Sequence, residues 1–298
     1  MRKKRNGIAV LLFCVGVVLT ACGKNPEVLL SYEEQINMTE SVTAEEQEVP
    51  KLFYEDICVV SPKDAEDTDE NLTVASGFLV NLSENKSEFA SEIYTPLYPA
   101  SITKILTAYV ALQQGDLTET VTISHNAANL EVPGAKKCGF AEGDKISLEA
   151  LLTSFLVYSG NDAGVAIAEH IAGSEEAFVE LMNQAAKELG ATQSHFCNPH
   201  GLHEDDHYTT CYDVYLIFSK LIQNETFLSM ISHGSYEANY MDAVGNEKTA
   251  TFTSTNRYLA DLWPVPEDVT VFGGKTGTTN EAGSCLILYF EKQGTKYL

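Results

Sequence analysis

Apolar residues along this chain recur with two periods, and the change of period marks its organisation. From residue 101 to about 220 the spacing is helical. In "SITKILTAYVALQQG", Ile102, Ile105, Leu106, Tyr109 and Val110 form one core-facing stripe. Pro99 precedes it, Ser101 lies near the expected cap and Gly115 ends it. "SLEALLTSFLVYSG" predicts a helix starting at Ser147, with Leu148, Leu151, Leu152, Phe155 and Leu156 buried. "NDAGVAIAEHIAG", "SEEAFVELMNQAAKELG" (closed by Gly190) and "CYDVYLIFSKLIQN" predict three more helices. Strand-like runs lie on either side. "TVASGFLVNLSENKSEFASE" reads as a hairpin around the polar turn Ser83-Glu84-Asn85-Lys86, and "VTVFGGKTGTT" and "GSCLILYFEK" follow the helices. Helices in the middle and strands at both ends require a sheet built from distant segments with helices packed on it, an α+β layered domain. No internal repeat is visible.

The two ends of the N-terminal third change this picture. Arg2, Lys3, Lys4 and Arg5 precede a short apolar run, Ile8 to Leu19. A membrane-spanning helix needs about 20 apolar residues, so residues 1–21 read as an export signal. Leu19-Thr20-Ala21-Cys22 resembles the lipobox of bacterial lipoproteins, in which cleavage leaves a lipid-modified cysteine as the new N-terminus. An ordinary signal with a chance cysteine is the alternative. Residues 22–50 hold seven acids, Glu27 to Glu48, and read as a solvated tether that would place the following domain roughly 30 Å from a membrane. The globular domain is expected from 51 to 298. A formal net charge of −23 over 298 residues argues against nucleic acid as a partner. Beyond Cys14 and Cys22, the five cysteines Cys58, Cys138, Cys197, Cys211 and Cys285 have no regular spacing and read as buried free thiols rather than a disulfide framework or a zinc site.

Three short motifs carry candidate chemistry. Ser101 and Lys104 are three residues apart, a spacing that puts both on one helical face. A serine hydroxyl needs a neighbour to take its proton. Lys104 can do so if desolvation and a second cation lower its pKa. Alternatively, Ser101 is a helix cap and Lys104 a surface lysine. Ser159-Gly160-Asn161 lies between two helices. Ser159 can relay protons and Asn161 can hold an amide, or the segment is a Gly C-cap followed by an Asn or Asp N-cap. Lys275-Thr276-Gly277 on a strand offers a cation, a hydroxyl and a residue without Cβ, suited to docking an extended peptide with a carboxylate; a Gly-rich bend is the alternative.

In the order SxxK, SxN, KTG, each in its setting, these motifs resemble the active-site-serine penicillin-binding family, and specifically its low-molecular-mass D-alanyl-D-alanine carboxypeptidases. The resemblance covers about Val74 to Lys292 and includes "YPASITKILTAYVAL", "SLEALLTSFLVYSGNDAGVAIAEHIAG", "NPHGLHEDDHYTTCYDVYLI" and "GGKTGTTNEAGSCLI". It implies a β-lactamase/transpeptidase-like antiparallel sheet flanked by helices, with a helical subdomain. It also implies roles. Ser101 attacks the penultimate D-Ala carbonyl, with Lys104 as base and Ser159 as proton relay. Asn161 orients the substrate amide, and Lys275 and Thr276 receive the terminal carboxylate. Backbone N–H groups of Ser101 and Thr278 form the oxyanion hole. No metal or organic cofactor is needed. The partners implied are a peptidoglycan stem peptide ending in D-Ala-D-Ala and β-lactam antibiotics; the lipobox, a departure from relatives that anchor at their C-terminus, adds a membrane through lipid on Cys22.

Related class A β-lactamases add a glutamate, usually in E-x-x-L-N, that activates the deacylating water. No such stretch lies between Asn161 and Lys275, so a penicilloyl adduct is expected to persist. His200, His203 and His207, with Glu204, Asp205 and Asp206, contain zinc-ligand types. They lack the helical scaffold of H-E-x-x-H, and the resemblance accounts for them as a structural loop. Relatives have a further strand and a C-terminal helix after the segment ending near Lys292. Only Gly294 to Leu298 could begin that strand, so the sheet is expected to lack it and to leave an edge open. A non-catalytic cell-wall-binding lipoprotein and a β-lactamase-like hydrolase are the rival functions.

Overall fold

The computed structural model describes residues 57–298, within a unit running from Phe53 to Leu298. The export signal, Cys22 and the acidic tether lie outside the described residues. The hairpin forms where alternation predicts it, as β1 (Gly77–Asn81) and β2 (Lys86–Ser91). The helical stripes become α1 (Lys104–Gln114), α3 (Leu148–Tyr158), α4 (Asn161–Ala172), α5 (Glu175–Glu188) and α6 (Cys211–Leu221). Ser147, Ser174 and Thr210 cap α3, α5 and α6, each accepting a backbone N–H from the first turn. The C-terminal strands are β7 (Val269–Thr279) and β8 (Gly283–Lys292).

Other elements went unpredicted: β3 (Thr120–Thr122), α2 (His125–Ala128), β4 (Lys145–Ser147), α7 (Glu225–Ile231), and the hairpin of β5 (Ser235–Met241) and β6 (Glu247–Thr253). They supply a second sheet, ordered β3-β4-β5-β6. α3 is apolar on nearly every face, and Leu148, Leu151, Leu152 and Phe155 have no exposed surface. Such a helix must be enclosed. It packs against the second sheet on one side and against α1, α4 and α7 on the others.

The first sheet has the order β2-β1-β9-β8-β7, all antiparallel. Its middle member, β9 (Thr295–Tyr297), corrects the expectation of a missing last strand. The chain turns at Gln293 and Gly294, both at positive φ, and returns between β1 and β8. Val80 and Leu298 exchange backbone bonds of 2.8 and 3.1 Å, and Leu82 N–H reaches the Lys296 carbonyl at 2.9 Å. Against β8, however, β9 pairs only with Phe290–Lys292. β7 is the edge strand on the opposite side, and it packs on the turn that carries Ser101.

Candidate active site

Neither serine sits where simple capping would place it. Ser101 lies inside a 3₁₀ turn, Ala100–Thr103, that leads into α1; neither element has a side-chain cap bond. The tighter 3₁₀ repeat eclipses positions i and i+3. Lys104 Nζ accordingly lies 3.0 Å from Ser101 Oγ. The backbone is held in an unfavourable form to achieve this: Ala100 has φ +47°. Two loops wedge it. A Cβ at Gly201 would fall 1.9 Å from the Ala100 carbonyl oxygen, and one at Gly277 would come within 3.0 Å of Ser101 N. Only residues without a side chain let the 198–203 loop and β7 approach so closely.

The SxN segment differs from the capping alternative in the same way. Ser159, not Gly160, takes the left-handed conformation that ends α3 (φ +69°, ψ 30°). Gly160 is the N-cap of α4 and makes no side-chain cap bond. Asn161 is thereby free to point into the site, where its Oδ1 accepts from Lys104 Nζ at 2.7 Å.

Lys104 has no exposed surface. Its Nζ also donates to the His200 carbonyl. Burial, and next the charge of Lys275, hold its pKa well below the usual lysine value. These are the two causes that a lysine base requires. A neutral amine has two N–H bonds and one lone pair. The Asn161 and His200 carbonyls take the two N–H bonds, which leaves the lone pair facing Ser101 Oγ. Lys275 is 1% exposed, and its Nζ donates to Ser159 Oγ and the Thr276 carbonyl, both at 2.9 Å. Burial, and then the charge of Lys136, push it down to about 7. Thr276 Oγ1 donates to Thr255 Oγ1 at 2.7 Å. Gly277 meets the Ser101 turn and Thr278 follows it on the strand. All eight residues singled out within the described chain thus fall around one cleft: Ser101, Lys104, Ser159, Asn161, Lys275, Thr276, Gly277 and Thr278.

The histidine cluster does not converge. His207 Nδ1 accepts Cys197 N–H at 3.1 Å, so the proton is on Nε2 and is donated to Thr103 Oγ1 at 2.8 Å. Thr103 passes a bond to the Ala100 carbonyl, which braces the Ser101 turn. Burial lowers His207 to about 4. His200 Nε2 lies 3.7 Å from Glu175, and His203 packs edge-on against Tyr98 beside Asp205. Among the described residues no three such side chains could hold a metal ion. The five described cysteines are free thiols; only Cys58 is fully buried, the others partly. Sequence reasoning missed Thr255, Asp162 and Lys136. Asp162 stands directly after the SxN motif. Its carboxylate accepts the amides of Cys138, Gly139 and Ala163 at 2.7–2.9 Å, pinning the 136–139 segment to the start of α4.

Residues 63–297 match the family described as D-alanyl-D-alanine carboxypeptidase. The D-alanyl-D-alanine carboxypeptidase DacF of Bacillus subtilis is 34% identical over 216 residues, 71% of this chain and 52% of its own length. DacC of Escherichia coli is 34% identical over 199 residues, 64% of this chain and 46% of its own. This chain therefore spans about half the length of the curated relatives it matches. The solved DD-transpeptidase of Streptomyces K15 superposes with a TM-score of 0.69 at 28% identity, covering 76% of this chain and 88% of that one.

Proposed function

The chain belongs to the D-alanyl-D-alanine carboxypeptidase family, and we propose that it removes the terminal D-Ala from peptidoglycan stem peptides through an acyl-enzyme on Ser101. One observation carries this reading: the amine of Lys104, stripped of water, has two carbonyl acceptors and Ser101 Oγ around it. In the proposed reaction Lys104 takes the Ser101 proton as Oγ attacks the penultimate D-Ala carbonyl. The oxyanion forms against the backbone N–H groups of Ser101 and Thr278. The close approach of Gly277 to Ser101 N supports that pairing. Ser159 relays a proton to the departing amine, a role supported by its bond to Lys275. Asn161 holds the substrate amide. Lys275 and Thr276 receive the carboxylate on an edge strand, whose outer backbone groups suit an extended peptide. Water then releases the shortened peptide.

β-Lactams mimic the acylating substrate and should acylate Ser101. The export signal and the Cys22 lipobox favour a protein outside the cytoplasmic membrane, tethered by lipid. Incubation with a synthetic peptide ending in D-Ala-D-Ala, followed by assay of free D-Ala, tests the activity. The full chain should release D-Ala and its Ser101→Ala variant should not. No release by a folded chain that nevertheless binds the peptide would favour the binding-only alternative.

A further inference from the structure

Lys136 is the cation of this cleft that the reaction above leaves without a role. Its carbonyl accepts the Asn161 amide at 2.7 Å, so its backbone is fixed to the SxN wall. Its ammonium lies 3.8 Å from the centre of the Tyr158 ring. Tyr158 immediately precedes Ser159, the residue that receives the Lys275 ammonium. Lys136 is exposed, whereas Lys275 is buried. Their charges are nonetheless close enough for Lys136 to be the cation that depresses Lys275. Three exposed lysines lie near carboxylates, Lys86, Lys248 and Lys292 at 3.3, 3.8 and 3.7 Å. Lys136 has no such partner among the described residues. In a chain of net charge −23, an unneutralised ammonium at the mouth of a cleft is a local attractor for an anion.

Lys275 is poorly suited to capture a carboxylate from solvent alone. It is 1% exposed, and two of its donors are committed to Ser159 and Thr276. Resting on the carboxypeptidase reading, we propose that Lys136 is a specificity-determining residue: its ammonium meets the C-terminal carboxylate of the incoming peptide at the cleft mouth and holds that end beside Lys275 and Thr276. Peptides with a free C-terminus would then be selected over those whose C-terminus is amidated, esterified or extended.

The test compares acylation by benzylpenicillin, which has a carboxylate, with acylation by its methyl ester, which has none. Both are measured on the full chain and on its Lys136→Gln and Lys136→Arg variants. The rate ratio of free acid to ester should fall roughly tenfold in Lys136→Gln, the size expected for losing one charge-assisted contact. Lys136→Arg should keep the ratio within about twofold, since the charge is retained. In the wild type the ratio should shrink with added salt, a readout that needs no variant to fold. An equal fall for acid and ester, or a salt-independent ratio, would overturn the proposal and leave Lys136 a structural residue. Acylation by neither compound in the wild type would overturn the carboxypeptidase reading, and this proposal with it.

Discussion

The two buried lysines and two of the three buried aspartates, Asp162 and Asp213, are held in opposite ways. Asp162 accepts three backbone amides, and Asp213 accepts the Gln193 amide and the Ser194 hydroxyl at 2.8 and 2.6 Å. Burial raises both carboxyl pKa values, while these donors pull them back down. Each aspartate is thereby a rivet between chain segments. Lys104 and Lys275 are instead bonded to neutral carbonyls and hydroxyls, and each lies near a further cation. Burial and the neighbouring cation outweigh what favours the ammonium form, which for Lys104 includes the charge of Asp162. The aspartates are arranged for stability; the lysines are held at a cost in stability, which on the proposed function serves proton transfer at Lys104 and carboxylate binding at Lys275.

Substitutions that break this contrast should separate activity from stability. Ser101→Ala gives the largest effect, since removing a nucleophile costs on the order of a millionfold in rate. Penicillin acylation should vanish while the melting temperature hardly moves. Lys104→Met should slow acylation by roughly a thousandfold, with no loss of melting temperature because an unfavourable buried amine is gone. Asp162→Ala should do the reverse. Three amides lose their acceptor, and unfolding in urea should show a loss of about 3 kcal/mol, with the residual folded fraction still acylating.

A smaller effect sharpens the comparison through pH. Lys275 has a folded pKa of about 7, below the unfolded value. The unfolded chain therefore binds the proton more tightly, and below pH 7 the full cost of burying the charge is present. That cost fades as pH rises from 7 toward about 10.4. Lys275→Met should thus raise stability by about 1–4 kcal/mol at pH 6, and the gain should shrink by pH 9 in denaturant titrations. A gain independent of pH would mean that packing, not charge, is responsible.

The same contrast explains what was legible in the sequence. Helical stripes such as Ile102-Ile105-Leu106 declare themselves because burial imposes a period, and each motif sits at a junction marked by Pro or Gly. The second sheet did not declare itself. Thr120–Thr122 and Lys145–Ser147 are three-residue strands, and the β5–β6 hairpin is mostly polar, with Ala238 and Phe252 its buried members. Thr255 and Lys136 reach the cleft through tertiary contacts that no local spacing encodes. The partition between Ser101 as nucleophile and Ser101 as cap was open in the sequence. The 3₁₀ turn carries no side-chain cap bond and aligns Ser101 with Lys104, held by the wedge of Gly201 and Gly277 against the turn. Beyond Lys292 the expectation of an absent strand was wrong, because Thr295–Tyr297 pair with both β8 and β1.

The central claim is that Lys104 activates Ser101. Its most direct test is the intact mass of the chain after incubation with benzylpenicillin, followed by peptide mapping. A persistent penicilloyl group on the peptide containing Ser101, absent from Lys104→Met over the same interval, is the predicted result. A folded wild-type chain that gains no mass, or gains it at another residue, would contradict it.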